Sequence, residues 1–206
     1  PPKMDFVFKR IFGNENHPNI LISFLNAVLN PSDPIKSVKL KDTTIEKSHL
    51  EDKSSRLDIK ATTNKGEHIN IEIQLKDEKN MIKRSLYYWS KLYESQLESS
   101  EKYQKLSRTI CINLLDFNLF KHDRFHSVYR LRDCETHEEL TDVMELHFIE
   151  LRKMKDIQHI NEIKSKLEAW LYFINHPESE LVEELEKIEV EIKEAKAELI
   201  RLSGNK

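Results

Sequence analysis

The sequence predicts an α/β fold in which two strands precede a crossover helix and a further buried strand. Residues 56–76 form two runs of alternating apolar and polar side chains around a turn, which is typical of a hairpin. Residues from about 80 to 103 have the apolar spacing of a long helix. Residues 107–117, SRTICINLLDF, are mainly apolar and predict a strand that is buried in the core.

Two helices and an extended segment are expected before the hairpin. The first helix covers residues 4–13, places its large apolar side chains on one face and stops at Gly13. These side chains are Met4, Phe8, Ile11 and Phe12. The second helix runs from about 18 to 29, and the sequence NPSDP at 30–34 ends it. An extended segment around 35–45 then leads to the hairpin.

The C-terminal part of the chain predicts strands at 125–131 and 145–151 and helices at about 155–175 and 180–202. The last helix spaces its apolar residues alternately by three and four, as in a heptad seam. This seam can fold back on the preceding helix as an antiparallel hairpin, which we prefer. It can also pair with a second copy, so a homodimer through the C-terminal helices stays open.

Size and composition limit the class of protein. The 206 residues suit one domain, or one domain with an appendage. Charged residues make up 33% and hydrophobic residues 38%, which predicts long helices around a lean core. We find no apolar run long enough for a membrane span, no secretory signal in the first ten residues and no disulfide framework for the two cysteines. We therefore expect a cytoplasmic protein.

The net charge of −3 hides an uneven distribution. Residues 178–201 contain nine acidic and four basic side chains, so this segment contributes a charge of −5 and the rest of the chain carries +2. A mildly basic body is compatible with a polyanionic ligand such as a nucleic acid, although it does not require one.

The register of the hairpin decides which of its polar side chains meet. A three-residue loop, Asn64-Lys65-Gly66, places the glycine at the left-handed position that such loops need. The numbers of paired residues then sum to 130. Asp58 therefore lies opposite Glu72, and Arg56 lies opposite Gln74, with opposed Cβ atoms roughly 5 Å apart. A loop of two residues is the alternative, and it would change this pairing.

Two opposed carboxylates repel each other, so one of them should have a raised pKa unless a cation joins them. Mg²⁺ is suited to this role, because it prefers oxygen ligands and binds one or two carboxylates together with water and phosphate. The alternative is a solvated hairpin face, on which Arg56, Lys60 and Lys76 offset the charges of Asp58 and Glu72. The pattern alone leaves both interpretations open.

The residues Asp58 and Glu72-Ile73-Gln74 resemble the D…(E/D)xK signature of PD-(D/E)XK nucleases, with glutamine in the place of lysine. Four further segments strengthen the resemblance: MDFVFKRIFG (4–13), LISFLNAVLN (21–30), KRSLYYWSKLYESQL (83–97) and HFIELRK (147–153). Together they are similar to the recombination-promoting nucleases, also described as PD-(D/E)XK family transposases. The resemblance covers roughly residues 3–153.

The resemblance implies a restriction-endonuclease-like core, a mixed central sheet flanked by helices, to which a C-terminal helical hairpin is added. It divides the chain into a nuclease-like domain at 1–153 and a helical appendage at 154–206. It also implies Mg²⁺-dependent cleavage of DNA, with Mn²⁺ as a substitute, in bacterial recombination or mobile elements.

The resemblance assigns roles to individual residues. Asp58 and Glu72 take the places of the metal ligands, and the backbone carbonyl of Ile73 is a further ligand in such sites. Gln74 stands where the usual lysine orients the attacking water. A glutamine carries no charge and is no base, but it can hold a water by hydrogen bonds. Asp5 is a further candidate for the site, although an acid in a first helical turn is also a common N-cap.

Four residues are candidate DNA contacts: Lys9, Arg56, Arg84 and Tyr88. Arg84, Tyr87, Tyr88 and Lys91 share one face of the predicted helix 80–103, and this face can hold a phosphodiester. The alternative for the two tyrosines is packing in the core. For Lys9 the alternative is an ordinary ion pair with Asp5.

Two functions of different classes remain. The first is a metal-dependent DNA endonuclease built on Asp58, Glu72, Gln74 and Asp5. The second is a non-catalytic module, derived from a mobile-element nuclease, that binds nucleic acid or protein. The glutamine at position 74 and the acidic C-terminal segment motivate the second.

Overall fold

The computed structural model describes residues 5–41 and 59–204, and for Asp5 and Phe6 it describes the backbone alone. The chain forms two compact units, one of residues 39–153 and the other of residues 1–38 with 154–206. The predicted division into 1–153 and 154–206 stays a prediction, because grouping residues by their packing does not test which of them carry an activity.

Within the described residues, six strands form one mixed sheet in the order β1-β2-β3-β4-β6-β5. The strands are β1 (Val38–Leu40), β2 (Ile59–Thr63), β3 (His68–Gln74), β4 (Thr109–Leu115), β5 (His126–Arg132) and β6 (Glu139–Glu150). Strands β3, β4 and β6 run parallel, whereas β2 and β5 pair antiparallel to their neighbours. The predicted α/β class with a mixed central sheet is confirmed.

The helices lie before the hairpin, between β3 and β4, and after β6. They are α1 (Asp5–Phe12), α2 (Pro18–Leu29), α3 (Met81–Glu94), α4 (Lys166–Asn175), α5 (Leu181–Leu185) and α6 (Glu191–Gly204), with short 3-10 turns at Tyr103–Lys105, Leu151–Lys153 and Ile160–Glu162. In the part of the chain that the structure describes, no helix combines the length and the apolar character needed to cross a membrane.

The predicted hairpin register is confirmed over the described residues. Ile59 pairs with Ile71 and Thr62 with His68, so the paired numbers sum to 130 as expected. Gly66 closes the three-residue loop with a φ of +77°, a conformation that glycine adopts without strain. Asp58 directly precedes β2 in the sequence and lies outside the described residues.

Helix α3 packs on one face of the sheet. Alternate strand residues point to opposite faces, and the register aligns Glu72 of β3, Asn113 of β4 and Phe148 of β6 on the face that α3 covers. Met81 and Trp89 of the helix join an apolar cluster with residues of β4 and β6. Helix α3 therefore covers the polar side of β3, the second strand of the hairpin.

The unit that contains both chain ends has an aromatic core. Phe12 packs edge-to-face on Phe24 and on Trp170 of α4, with ring centroids 5.1 and 5.4 Å apart. The indole N–H of Trp170 donates a hydrogen bond to the hydroxyl of Ser23 at 2.8 Å, which satisfies its polar atom in the core. The predicted apolar face of the first helix is confirmed for Phe8, Ile11 and Phe12, which are buried, whereas Met4 lies outside the described residues.

The predicted helix at 80–103 is too long, because α3 ends at Glu94. The side chain of Gln96 then ties the chain to the start of β4. It donates to the hydroxyl of Thr109 at 2.6 Å and accepts the backbone N–H of Ser107 at 2.7 Å. These tertiary hydrogen bonds outweigh the local preference for helix in this segment.

The two predicted C-terminal helices also differ in length. The predicted helix at 155–175 begins only after Ser165, whose hydroxyl accepts the N–H of Glu168 at 3.1 Å as an N-cap. The predicted helix at 180–202 is divided into α5 and α6. Helix α6 contacts α1 and α2, so its apolar seam packs within the chain and not in a simple two-helix hairpin. A homodimer stays a prediction.

Candidate functional site

Glu72 is a buried acid in the central part of the sheet, with 1% of its surface exposed. It lies on the face of β3 that α3 covers, beside Asn113 of β4. An isolated carboxylate in such a place is costly unless a cation or hydrogen-bond donors compensate it. The interpretation of a solvated hairpin face is therefore wrong for Glu72.

The compensating charge comes from Arg84 of α3. Its Nε and Nη2 atoms lie 2.8 and 2.7 Å from the same carboxylate oxygen of Glu72, Oε1. The Arg84 side chain is 23% exposed, so the pair lies at the edge of the helix–sheet interface. The guanidinium carbon is also 5.4 Å from the ring centroid of Tyr88, one helical turn later, at cation–π distance.

Polar contacts between α3 and β4 hold the helix at this position. The side-chain amide of Asn113 donates to the hydroxyl of Ser85 at 2.8 Å and to the backbone carbonyl of His147 at 3.0 Å. One turn later, the indole N–H of Trp89 donates to the carbonyl of Thr109 at 2.8 Å. The roles of Asn113 and Ser85 were not predicted, because an asparagine within an apolar run does not indicate which residue its side chain will bind.

Gln74 lies two residues after Glu72 and therefore on the same face of β3. Its side chain is half-buried at the end of the strand, and its backbone carbonyl accepts the N–H of Asp116 at 2.9 Å. Ile73 between them is buried. Gln74 therefore lies on the same strand face as Glu72, which Arg84 contacts.

The remaining predicted site residues are Asp58, Arg56, Asp5 and Lys9. Asp58 and Arg56 lie outside the described residues, and Asp5 is described by its backbone as the first residue of α1. Lys9 is half-buried in α1, in the compact unit that contains the chain ends. The roles assigned to these residues stay predictions.

The residues present are chemically suited to a hard divalent cation. Among the residues that the structure describes, no group of three or more His, Cys, Asp or Glu side chains is arranged to hold a metal. Of the predicted carboxylate ligands, Glu72 is the described one. Its buried carboxylate, with the amide oxygen of Gln74 on the same face, supplies the oxygen donors that Mg²⁺ prefers.

A second polar cluster lies on the opposite face of the sheet. Oε1 of Glu145 is 2.6 Å from Nε2 of His147, and Nδ1 of His147 is 2.8 Å from Nε2 of His126. Arg108 and Arg130 both donate to the other oxygen of Glu145. Although burial acts to raise it, the pKa of Glu145 is lowered to about 2 by His147 and Arg108.

In the same cluster, burial and then the charge of His147 lower the pKa of His126 to about 4. The cluster joins β5, β6 and Arg108, which directly precedes β4. It is separated by the sheet from Glu72. We therefore assign it to the stability of the sheet.

Comparison with known protein families matches residues 2–206 to the PD-(D/E)XK nuclease family transposases. No curated protein and no solved structure matches the chain. The mixed six-stranded sheet with its helices is compatible with the restriction-endonuclease-like fold of such nucleases. Because the match covers almost the entire sequence, the chain belongs to the PD-(D/E)XK nuclease family transposases, a nuclease family linked to mobile elements.

Proposed function

We propose that the protein is a Mg²⁺-dependent endonuclease that hydrolyses phosphodiester bonds in DNA during recombination or the movement of mobile elements. The observation that carries this proposal is the buried carboxylate of Glu72, two residues before Gln74 on the same face of β3. In a family of nucleases, an acid kept in the core at the signature position is best explained by a role in the site, because burying a charge costs stability.

Asp58 and Glu72 are the proposed carboxylate ligands of the metal, with the backbone carbonyl of Ile73 as a further oxygen donor. The sequence predicts Asp58 opposite Glu72, and the pairing of Ile59 with Ile71 among the described residues supports that prediction. The cation, when bound, neutralises the phosphate charge and lowers the pKa of water, with Mn²⁺ able to replace Mg²⁺. Glu72 is held for this role by its burial between the sheet and α3.

Gln74 has the proposed role of orienting the attacking water by hydrogen bonds. Its side-chain amide offers both donors and an acceptor, but it cannot remove the proton from the water. Asp5 is proposed to assist catalysis. Lys9, Arg56, Arg84 and Tyr88 are proposed to contact the phosphate backbone of the DNA, where basic side chains provide most of the affinity.

A plasmid-nicking assay with Mg²⁺, Mn²⁺ or a chelator tests the proposal. We expect Glu72→Gln to lower nicking by about a hundredfold or more, since it removes a charged ligand without changing the shape of the side chain. Glu94→Gln is the matched control, because Glu94 is an exposed glutamate near the end of α3. Full activity of folded Glu72→Gln protein, or activity that a chelator does not reduce, would refute the proposal.

The second candidate function is a non-catalytic module that binds nucleic acid or protein. Two observations favour it: glutamine replaces the signature lysine at position 74, and Arg84 already compensates the charge of Glu72. Titration calorimetry separates the two functions. A nuclease should release or take up heat with Mg²⁺ or Mn²⁺ that Glu72→Gln removes, whereas the module should give no such heat.

A further inference from the structure

We infer that Arg84 is a positioning residue that acts as the counter-ion of Glu72 in the metal-free protein and thereby lowers the affinity of the site for its divalent cation. This inference rests on the proposed function, since it needs Glu72 to be a ligand. Arg84 would then set the concentration of divalent cation at which the site is half occupied.

The guanidinium of Arg84 places a permanent positive charge against the carboxylate of Glu72. Two nitrogen atoms of Arg84 converge on one oxygen of a carboxylate that is 1% exposed. Charge-assisted contacts of this kind are among the strongest hydrogen bonds in proteins. The guanidinium is itself restrained by the ring of Tyr88 on its own helix.

The helix that carries Arg84 cannot easily move away from the sheet. The next residue, Ser85, is buried and accepts the hydrogen bond from Asn113 of β4. Trp89 fixes the following turn through the carbonyl of Thr109. The positive charge is therefore part of the folded architecture near Glu72, and any cation that Glu72 binds must share the carboxylate with it.

The charge of Arg84 determines whether this residue raises or lowers the affinity of the site for the metal. A guanidinium and a divalent cation repel each other, and this repulsion is strong where water is largely excluded. Arg84 also orients the carboxylate, which favours binding of the metal, but orientation by one ion pair is a weaker effect than a full unit of like charge. Removal of the charge at position 84 should therefore tighten metal binding.

Titration calorimetry with Mn²⁺ and with Mg²⁺, in the absence of DNA, measures the affinity of the protein for each metal. We expect Arg84→Gln to bind the metal at least about tenfold more tightly than the unmodified protein. Lys83→Gln is the matched control, because it removes the same charge from an exposed neighbour on the same helix. It should change the affinity by less than about twofold, since exposed charges are well screened.

A second measurement is made on the unmodified protein, and the charge-conserving variant Arg84→Lys serves only to assign the signal. In the unmodified protein, the Nε–H resonance of Arg84 can be assigned through its absence in Arg84→Lys. We expect this resonance to shift on addition of Mg²⁺, with the same half-saturation as the calorimetric titration. A resonance that does not respond while metal binds would overturn the inference.

The outcomes distinguish the inference from the proposed function. Unchanged or weaker metal binding by Arg84→Gln would overturn the role of Arg84, and the nuclease proposal would stand as long as Glu72→Gln removes the heat. If neither the unmodified protein nor Arg84→Gln gives heat that depends on Glu72, both the inference and the metal site of the proposed function fail.

Discussion

The ion pair between Glu72 and Arg84 is buried because helix α3 covers the side of β3 that the alternating pattern predicts to be exposed. In the sequence, Glu72 occupies the polar side of an alternating strand, where water would normally solvate it. Helix α3 covers that side and supplies a guanidinium at 2.7 and 2.8 Å. The acid is therefore held in one orientation, which a ligand for a metal requires.

Asn113 is the second residue whose role depends on a distant partner. Its side chain is buried and its amide donates to Ser85 and to the carbonyl of His147. We expect Asn113→Ala to lower the free energy of unfolding by about 2 kcal/mol, because it leaves both acceptors without this donor. Ser85→Ala should cost about 1 kcal/mol, since Asn113 then keeps its bond to the carbonyl.

Urea unfolding followed by circular dichroism measures both changes. The order of the two variants is the informative result. If Ser85→Ala were as costly as Asn113→Ala, the bond across to α3 and not the bond within the sheet would carry the stability.

Among the elements, the β2–β3 hairpin has the clearest relation between sequence and structure. Its loop of three residues ends in Gly66 at a φ of +77°, and this geometry sets the register of the whole pair. Space is not the reason for the glycine, because an added Cβ would be 3.9 Å from the hydroxyl of Ser107, an ordinary contact distance. The reason is the backbone conformation, which most other residues adopt only with strain.

We therefore expect Gly66→Ala to lower the free energy of unfolding by about 1 kcal/mol, with a smaller loss for Gly66→Asn, since asparagine tolerates left-handed backbone. Lys65→Ala is a suitable control, because Lys65 is exposed in the same loop. Thermal denaturation measures the three variants. Equal stability of Gly66→Ala and the unmodified protein would contradict this account of the loop.

For the molecule as a whole, stability should depend on pH through the cluster at Glu145. The folded protein holds the pKa of His126 at about 4, below the usual 6.5, so the unfolded chain takes up the proton first as the pH falls. Stability is then lost between about pH 6.5 and pH 4. The pKa of Glu145, lowered to about 2, causes a further loss at lower pH as the pairs with Arg108 and Arg130 are broken.

The contribution of His126 corresponds to about 3 kcal/mol for the full shift, which partial exposure reduces to about 2 kcal/mol. We expect His126→Gln to flatten the dependence of the unfolding free energy on pH between pH 6.5 and pH 4. Glu191 has the opposite effect. Its neighbour Glu189 and burial raise its pKa to about 7, so its contribution to the stability of the folded protein increases as the pH falls below 7. An unchanged pH profile in His126→Gln would assign the acid sensitivity to other groups.

Patterns in the amino-acid sequence were sufficient to predict several features of the fold. Alternation in β3, the helical spacing of α2 and the glycine of the hairpin loop predicted the strands, the helix and the register that are found. These features depend on residues close together in the chain, where backbone geometry and side-chain periodicity act directly. The end of α3 was not predictable in this way, because it depends on the tertiary contacts of Gln96. The start of α4 depends on the N-cap Ser165, a local signal that the helical periodicity did not reveal.

The candidate site was predictable in part for the same reason. The family signature led to Glu72 and Gln74, but no sequence pattern indicates that Arg84 binds Glu72 or that Asn113 binds Ser85. These pairs are brought together only when α3 packs on the sheet, and their energies come from burial, which is a property of the folded chain and not of any segment. Local sequence therefore established the strand that carries Glu72, while packing established the positive charge that faces it.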